Sequence, residues 1–160
     1  MTGPVTYHEL LFRPDHRSFT LRDEECDAAV GAYQALVQAY ETGAATTGYE
    51  VYVTAAQDLI KVRARLEVWN RPGGSADGFD DVLTFGLTCP SGVLQIGDGS
   101  GTAVGGIDLP DGPGVYTVQM QYRGRGETRA ALRRLDERLS ETVATAWLAL
   151  FTPCDGVGSI

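Results

Sequence analysis

From residue 61 to 69 apolar and polar side chains alternate without a break: Val62, Ala64, Leu66 and Val68 against Lys61, Arg63, Arg65, Glu67 and Trp69. Successive side chains on a strand point to opposite faces, so this pattern predicts a half-buried strand with a basic outer face. The same period returns in Leu83, Phe85, Leu87 and Cys89, and in Tyr116, Val118, Met120 and Tyr122 opposite Thr117, Gln119 and Gln121. Shorter runs at 5–12, 18–21, 49–53, 93–96 and 107–109 complete the expected strands, with a turn over 13–17. Pro-Gly and Ser-Gly signals at 71–74, 90–92 and 110–114 mark tight connections. Two hairpins are predicted, one joining 49–53 to 61–69 through the polar turn 54–59 and one joining 83–89 to 93–96 through 90–92, with Gly92 free to take a positive φ. The glycine-rich stretch 97–106 is expected to be a flexible hairpin loop.

Two segments change period. Between Asp23 and Tyr40, apolar Ala29, Val30, Tyr33, Leu36, Val37 and Tyr40 recur at three- and four-residue spacing, with carboxylates leading and Gly43 following. That predicts a helix over about 23–40. A second helical stretch is expected over about 127–141. The apolar run 143–151 fits the last helical turns or a buried strand, and β-branched Val143 and Thr145 with aromatic Trp147 and Phe151 favour the strand. The expected fold is mainly β: one domain spanning 1–160, an antiparallel β-sandwich of about seven or eight strands with one or two peripheral helices.

Length and composition agree with that fold. A chain of 160 residues with 43% hydrophobic and 21% charged residues can bury a real core. Its start lacks a secretory leader, and no run reaches the length of a bilayer span, so a cytoplasmic location is expected. Cys26, Cys89 and Cys154, odd in number and widely spaced, read as small buried hydrophobes in a reducing compartment, without a disulfide framework.

Charge alters the picture most. Residues 72–122 carry Asp77, Asp80, Asp81, Asp98, Asp108 and Asp111 without a lysine or arginine. Residues 23–60 carry Asp23, Glu24, Glu25, Asp27, Glu41, Glu50 and Asp58, again without a base. The remainder is net positive, and the whole chain is −8. Charge so divided favours a basic partner and disfavours direct nucleic-acid or anionic-membrane binding.

Catalytic signatures are weak. His8 and His16 are the only histidines; His8-Glu9-Leu10-Leu11-Phe12 lacks the second histidine of a zincin helix, and neither stands at zinc-ligand spacing from a cysteine. Gly97-Asp98-Gly99-Ser100-Gly101 lacks the lysine of a phosphate loop, and no nucleophile-elbow serine is present. Asp77, Asp80 and Asp81 fit no calcium-loop spacing. No enzyme, cofactor or metal is expected. The six aspartates between 77 and 111 fall on expected turns and strand ends, where they could engage a partner's arginines and lysines.

Three blocks carry a likeness to a known family: Tyr7-His8-Glu9-Leu10, Gly43-Ala44-Ala45-Thr46-Thr47-Gly48-Tyr49-Glu50-Val51, and Ile107-Asp108-Leu109-Pro110-Asp111-Gly112-Pro113-Gly114-Val115-Tyr116. In this order they resemble the bacterial competence protein J family, over most of 7–120. The resemblance implies a small acidic protein that inhibits a DNA-entry nuclease. The stretch 127–141 departs from it as an apparent insertion, and the helix at 23–40 is longer than the family needs. No functional residue is carried over, so Asp77, Asp80, Asp81, Asp98, Asp108 and Asp111 stand as partner-binding candidates on charge and placement alone.

Two readings follow. One is an inhibitor of a basic enzyme, a nuclease foremost, which requires the aspartates of both halves to converge on one face. The other is a non-catalytic ligand- or carbohydrate-binding module, which requires at least two of Trp69, Tyr116, Tyr122 and Trp147 exposed in one concavity.

Overall fold

A computed structural model describes residues 4–26, 30–58, 61–70, 79, 81–98, 101–135 and 150–153. The strands are β1 (Thr6–Phe12), β2 (Ser18–Asp23), β3 (Ala44–Thr46), β4 (Glu50–Thr54), β5 (Val62–Val68), β6 (Asp81–Cys89), β7 (Val93–Asp98), β8 (Gly101–Asp108), β9 (Gly114–Tyr122) and β10 (Leu150–Pro153). The helices are α1 (Ala32–Thr42) and α2 (Arg125–Leu135). One sheet runs β1-β5-β10-β9-β6 and the other β3-β4-β2-β7-β8. Pairing is antiparallel except between β5 and β10, which run parallel.

The two sheets share one core. Phe19, Leu21, Val51, Val53, Leu94, Ile96 and Ile107 from one meet Ala64, Leu66, Val68, Leu87, Tyr116, Val118 and Met120 from the other. These are the inward members of each alternating strand, so the period-two pattern does set the buried face. Cys26 and Cys89 are buried free thiols, as small hydrophobes should be. Burial pushes the Cys89 thiol up to about 12.

Strand pairing departs from the expected hairpins. β4 lies between β3 and β2, whereas β5 lies in the opposite sheet between β1 and β10. β6 and β7 are likewise in different sheets, so Pro90-Ser91-Gly92 crosses from one to the other. Alternation specifies a face and not a neighbour, and a three-residue link can bridge two sheets at their rim as readily as it closes a hairpin. The glycine-rich stretch forms β8, which pairs with β7 through register shifts at Ile96. Small residues suit such irregular edge pairing.

Helix α1 begins at Ala32, not near Asp23, which instead closes β2. Its faces are also reversed from expectation: Ala35 and Ala39 are buried, while Tyr33, Val37 and Tyr40 are exposed. Ala45 and Tyr52 complete the small cluster beneath it. Gly43 ends α1 at φ 100, where a Cβ would stand 3.0 Å from Nη1 of Arg125. Helix α2 occupies the start of the expected second helix; residues 136–149, including most of the expected 143–151 strand, lie outside the described residues, and 150–153 form β10.

Candidate functional site

Registers divide the sandwich into two ends. At one meet the end of β2, the β6–β7 crossing and the β8–β9 turn, since Asp23 pairs with Leu94, Val93 with Asp108, and Cys89 with Gly114. At the other meet the β1–β2 turn, the start of β6, the end of β7 and the end of β9, since Phe19 pairs with Asp98 and Asp81 with Tyr122.

The first end is built on Asp23. Its side chain is fully buried, an expensive place for a carboxylate unless every lone pair is used. Oδ1 accepts from the Ser91 hydroxyl at 2.7 Å and the Glu25 amide at 3.0 Å, while Oδ2 accepts from the Gly92 amide at 2.9 Å and the Ser91 amide at 3.1 Å. Burial alone pushes this carboxyl up; the Ser91, Glu25 and Gly92 hydrogen bonds outweigh burial and hold it below its ordinary value. Asp23 therefore clamps the crossing to β2.

From there the knot extends to the next turn. Gly92 has φ 76, and a Cβ on it would lie 2.3 Å from the carbonyl carbon of Gly112. The Leu109 amide donates to the Gly92 carbonyl at 2.8 Å, and the Tyr116 hydroxyl donates to the Gly112 carbonyl at 2.7 Å. Burial pushes the Tyr116 phenol up to about 12, so it stays a donor. The turn bearing Asp111 is thus fixed from three sides.

Four acids are displayed on this frame. Glu24 and Glu25 follow Asp23, Asp108 ends β8, and Asp111 tips the turn; all four are exposed. Glu24 Oε1 accepts from the Gly106 amide at 2.6 Å, which ties it to β8 two residues before Asp108. Among the described residues the basic side chain at this end is Arg22, 3.2 Å from the mostly buried carboxylate of Glu50. Glu50 also accepts from the Tyr52 hydroxyl at 2.6 Å. The two base-free blocks of the sequence therefore meet here, Glu24 and Glu25 from one and Asp108 and Asp111 from the other.

The six aspartates do not gather on one face. Asp108 and Asp111 share the Asp23 end; Asp81 and Asp98 stand at the opposite end, on the order of 20 Å away at the ~3.4 Å rise of a strand residue. Asp77 and Asp80 lie outside the described residues. Glu24 and Glu25 were not among the expected site residues, because a helical reading of 23–40 placed them in a first turn.

The opposite end is mixed and carries arginines. Arg125 lies over the Tyr122 ring and donates to the Thr54 carbonyl, and with Arg129, Glu41 and Glu127 it lines an open cleft of about 580 Å³. Burial, then the nearby Arg129 charge, lower its basicity. As for an aromatic platform, Tyr116 is buried, Trp69 is half-buried with its indole donating to Glu67 at 3.0 Å, and Tyr122 is half-buried at the other end. Trp147 lies outside the described residues. Among the described residues these aromatics form no shared concavity, and no cluster of three or more His, Cys, Asp or Glu is placed to hold a metal. Nor is any described helix long and apolar enough to cross a membrane.

Comparison of the whole architecture with solved structures finds ComJ from Bacillus subtilis, described as an inhibitor of the DNA degrading activity of NucA. The TM-score is 0.62 at 13% identity, covering 96% of this chain and 98% of ComJ. The chain folds like ComJ. A second protein with this fold, the product of crocagin biosynthetic gene J, matches with TM-score 0.60 at 12% identity over 93% of this chain and 97% of its own. No family model matches the sequence, and no curated protein matches it. The ComJ fold extends past residue 120 to nearly the whole chain, so α2 and β10 sit within the extent of the likeness.

Proposed function

We propose that this protein is a non-catalytic inhibitor of a basic enzyme, most directly a DNA-degrading nuclease, and that it docks through the acidic end built on Asp23. The observation that carries this reading is the meeting of Glu24, Glu25, Asp108 and Asp111 on one clamped end. The ComJ-like fold supports it, because ComJ inhibits NucA. A rigid display costs little ordering entropy on binding, and like charges in one place steer a cationic partner into contact. Of the six aspartates first singled out, Asp108 and Asp111 are retained as partner-binding residues. Asp81 and Asp98 stand at the opposite end of the sandwich, and Asp77 and Asp80 remain candidates on sequence alone.

The test titrates the protein into DNA-degradation reactions of NucA and of a set of cationic DNases at low salt. At least one nuclease should be inhibited, and the variant E24Q/E25Q/D108N/D111N should inhibit it about 10- to 100-fold less well. Full inhibition by the variant would move the site elsewhere. Inhibition of none would overturn the reading.

A further inference from the structure

Helix α1 is inside out. A surface helix ordinarily turns its large apolar residues to the core and its small or polar ones to water. Here the core side is Ala35 and Ala39, whereas Val30, Tyr33, Val37 and Tyr40 point outward, with Val30 90% and Tyr33 75% exposed. The four- and three-residue spacing of Tyr33, Val37 and Tyr40 places them on one narrow stripe of α1, and Val30 lies ahead of the helix, before Gly31 at φ 81. The stripe itself carries no charged residue; Glu41 beside Tyr40 and Arg17 over the Tyr40 ring border its far end. Charge depletion with tyrosine enrichment is the composition of an interface core, and a contiguous apolar patch of this kind on a soluble protein marks a contact surface.

Both limits of the stripe are fixed. At its start Val30 follows Glu25 by five residues in the chain, which keeps this end of the stripe within about 17 Å of that acid at the ~3.4 Å reach of a residue. At its finish Tyr40 donates to the His16 carbonyl, and Arg17 lies over its ring at 5.4 Å. His16 and Arg17 both hold positive φ, 48 and 63, a conformation that costs a non-glycine residue stability and is kept here by the Tyr40 contact and the Asp15–Ser18 bridge. A strained turn held against the last tyrosine keeps this surface in one shape.

We infer that exposed Tyr33, Val37 and Tyr40, with Val30 ahead of them, form the apolar centre of the interface with the cationic enzyme, and that the acids of the Asp23 end are its rim. This rests on the proposed inhibitor function. The occupant is a protein face with an apolar patch beside lysines or arginines, because the stripe supplies the first complement and Glu24, Glu25, Asp108 and Asp111 the second. The two parts then divide the kinetics: rim charges set the rate of encounter, and buried aromatics set the lifetime of the complex.

The experiment measures association and dissociation rates with the nuclease that the wild type inhibits, for Y33Q, V37Q and Y33Q/V37Q, after thermal melts establish that each is folded. Since these side chains contact solvent, melting should be unchanged. The double variant should dissociate about 30-fold faster or more, with an association rate within about twofold of wild type. Unchanged dissociation with intact inhibition would overturn the stripe and leave the inhibitor function standing. A wild type that inhibits no nuclease would remove both. Sedimentation of the protein alone provides a further check: a dimer that Y33Q/V37Q dissolves would show a second copy covering the stripe, and would also overturn the inference.

Discussion

Asp23→Asn should be among the most damaging changes of similar size in this chain. Asparagine keeps the volume but offers only one acceptor oxygen, and its amide group would face a donor. With the oxygen at the Oδ1 position, the Ser91 hydroxyl and Glu25 amide keep their acceptor, but the Gly92 amide, 2.9 Å from Oδ2, meets an N–H₂ group. A buried donor without a partner costs roughly 1–3 kcal/mol, and the change from charged to neutral acceptor removes about 1 kcal/mol or more from the others, so the loss is about 3 kcal/mol. With a urea slope of about 2 kcal/mol/M the midpoint falls about 1.5 M, and the melting temperature falls about 6–12 °C. The lowered carboxyl fixes the pH dependence. A folded pKa below the unfolded value gives stability that is full above the ordinary carboxylate range near 3.8 and is lost as pH falls through the lower folded value. Wild type and variant should therefore differ most near neutrality and converge in acid. Urea denaturation of both from pH 7 down to pH 3 tests this; a loss under about 0.5 kcal/mol at pH 7, or a gap that stays constant into acid, would refute the role given to Asp23.

Gly92→Ala must both take φ 76 and place a methyl 2.3 Å from the Gly112 carbonyl carbon, so it should cost about 2–4 kcal/mol in thermal or urea unfolding; a neutral result would mean that the crossing and the turn are not in contact. Burial raises both the Cys89 thiol and the Tyr116 phenol to about 12 from 9.0 and 10.0. Raised acids give stability that is full below the unfolded values and lost as pH climbs toward the folded ones, so denaturation midpoints should fall from about pH 9 upward, and Cys89→Ala should flatten that fall. Leu66→Ala, at a fully buried core position, should cost about 2–5 kcal/mol; a melting curve like wild type would contradict its place between the sheets.

Strands were legible because alternation is written locally: those expected at 61–69, 83–89, 93–96 and 115–122 reappear within a residue or two, whereas the one at 107–109 proves to be the end of β8, which begins at Gly101 in the stretch expected to be a loop. Which strand pairs with which was not, because the crossing at Ser91 and the hairpin it resembles use the same turn residues. Asp23 shows the same limit more sharply. Beside Glu24 and Glu25 it reads as one acid of three, and the partner that buries it, Ser91, is 68 positions away. In α1 the helical period was visible, but the bulky members of the repeat mark the outer face and the alanines the inner one. A close approach to β3 and β4 selects small residues there, and no local pattern announces it. The acidic blocks were visible as charge; that Glu24 and Glu25 join Asp108 and Asp111, while Asp81 and Asp98 stand at the other end of their strands, follows only from register.

That division allows one comparison to test the central claim. Against a nuclease that the wild type inhibits, association rates at low and raised salt should be measured for E24Q/E25Q/D108N/D111N and for D81N/D98N. The acidic-end variant should associate about 10- to 100-fold more slowly at low salt and lose most of its salt dependence, while D81N/D98N stays within about twofold of wild type. Equal losses from both variants, or a loss from D81N/D98N alone, would contradict docking through the Asp23 end.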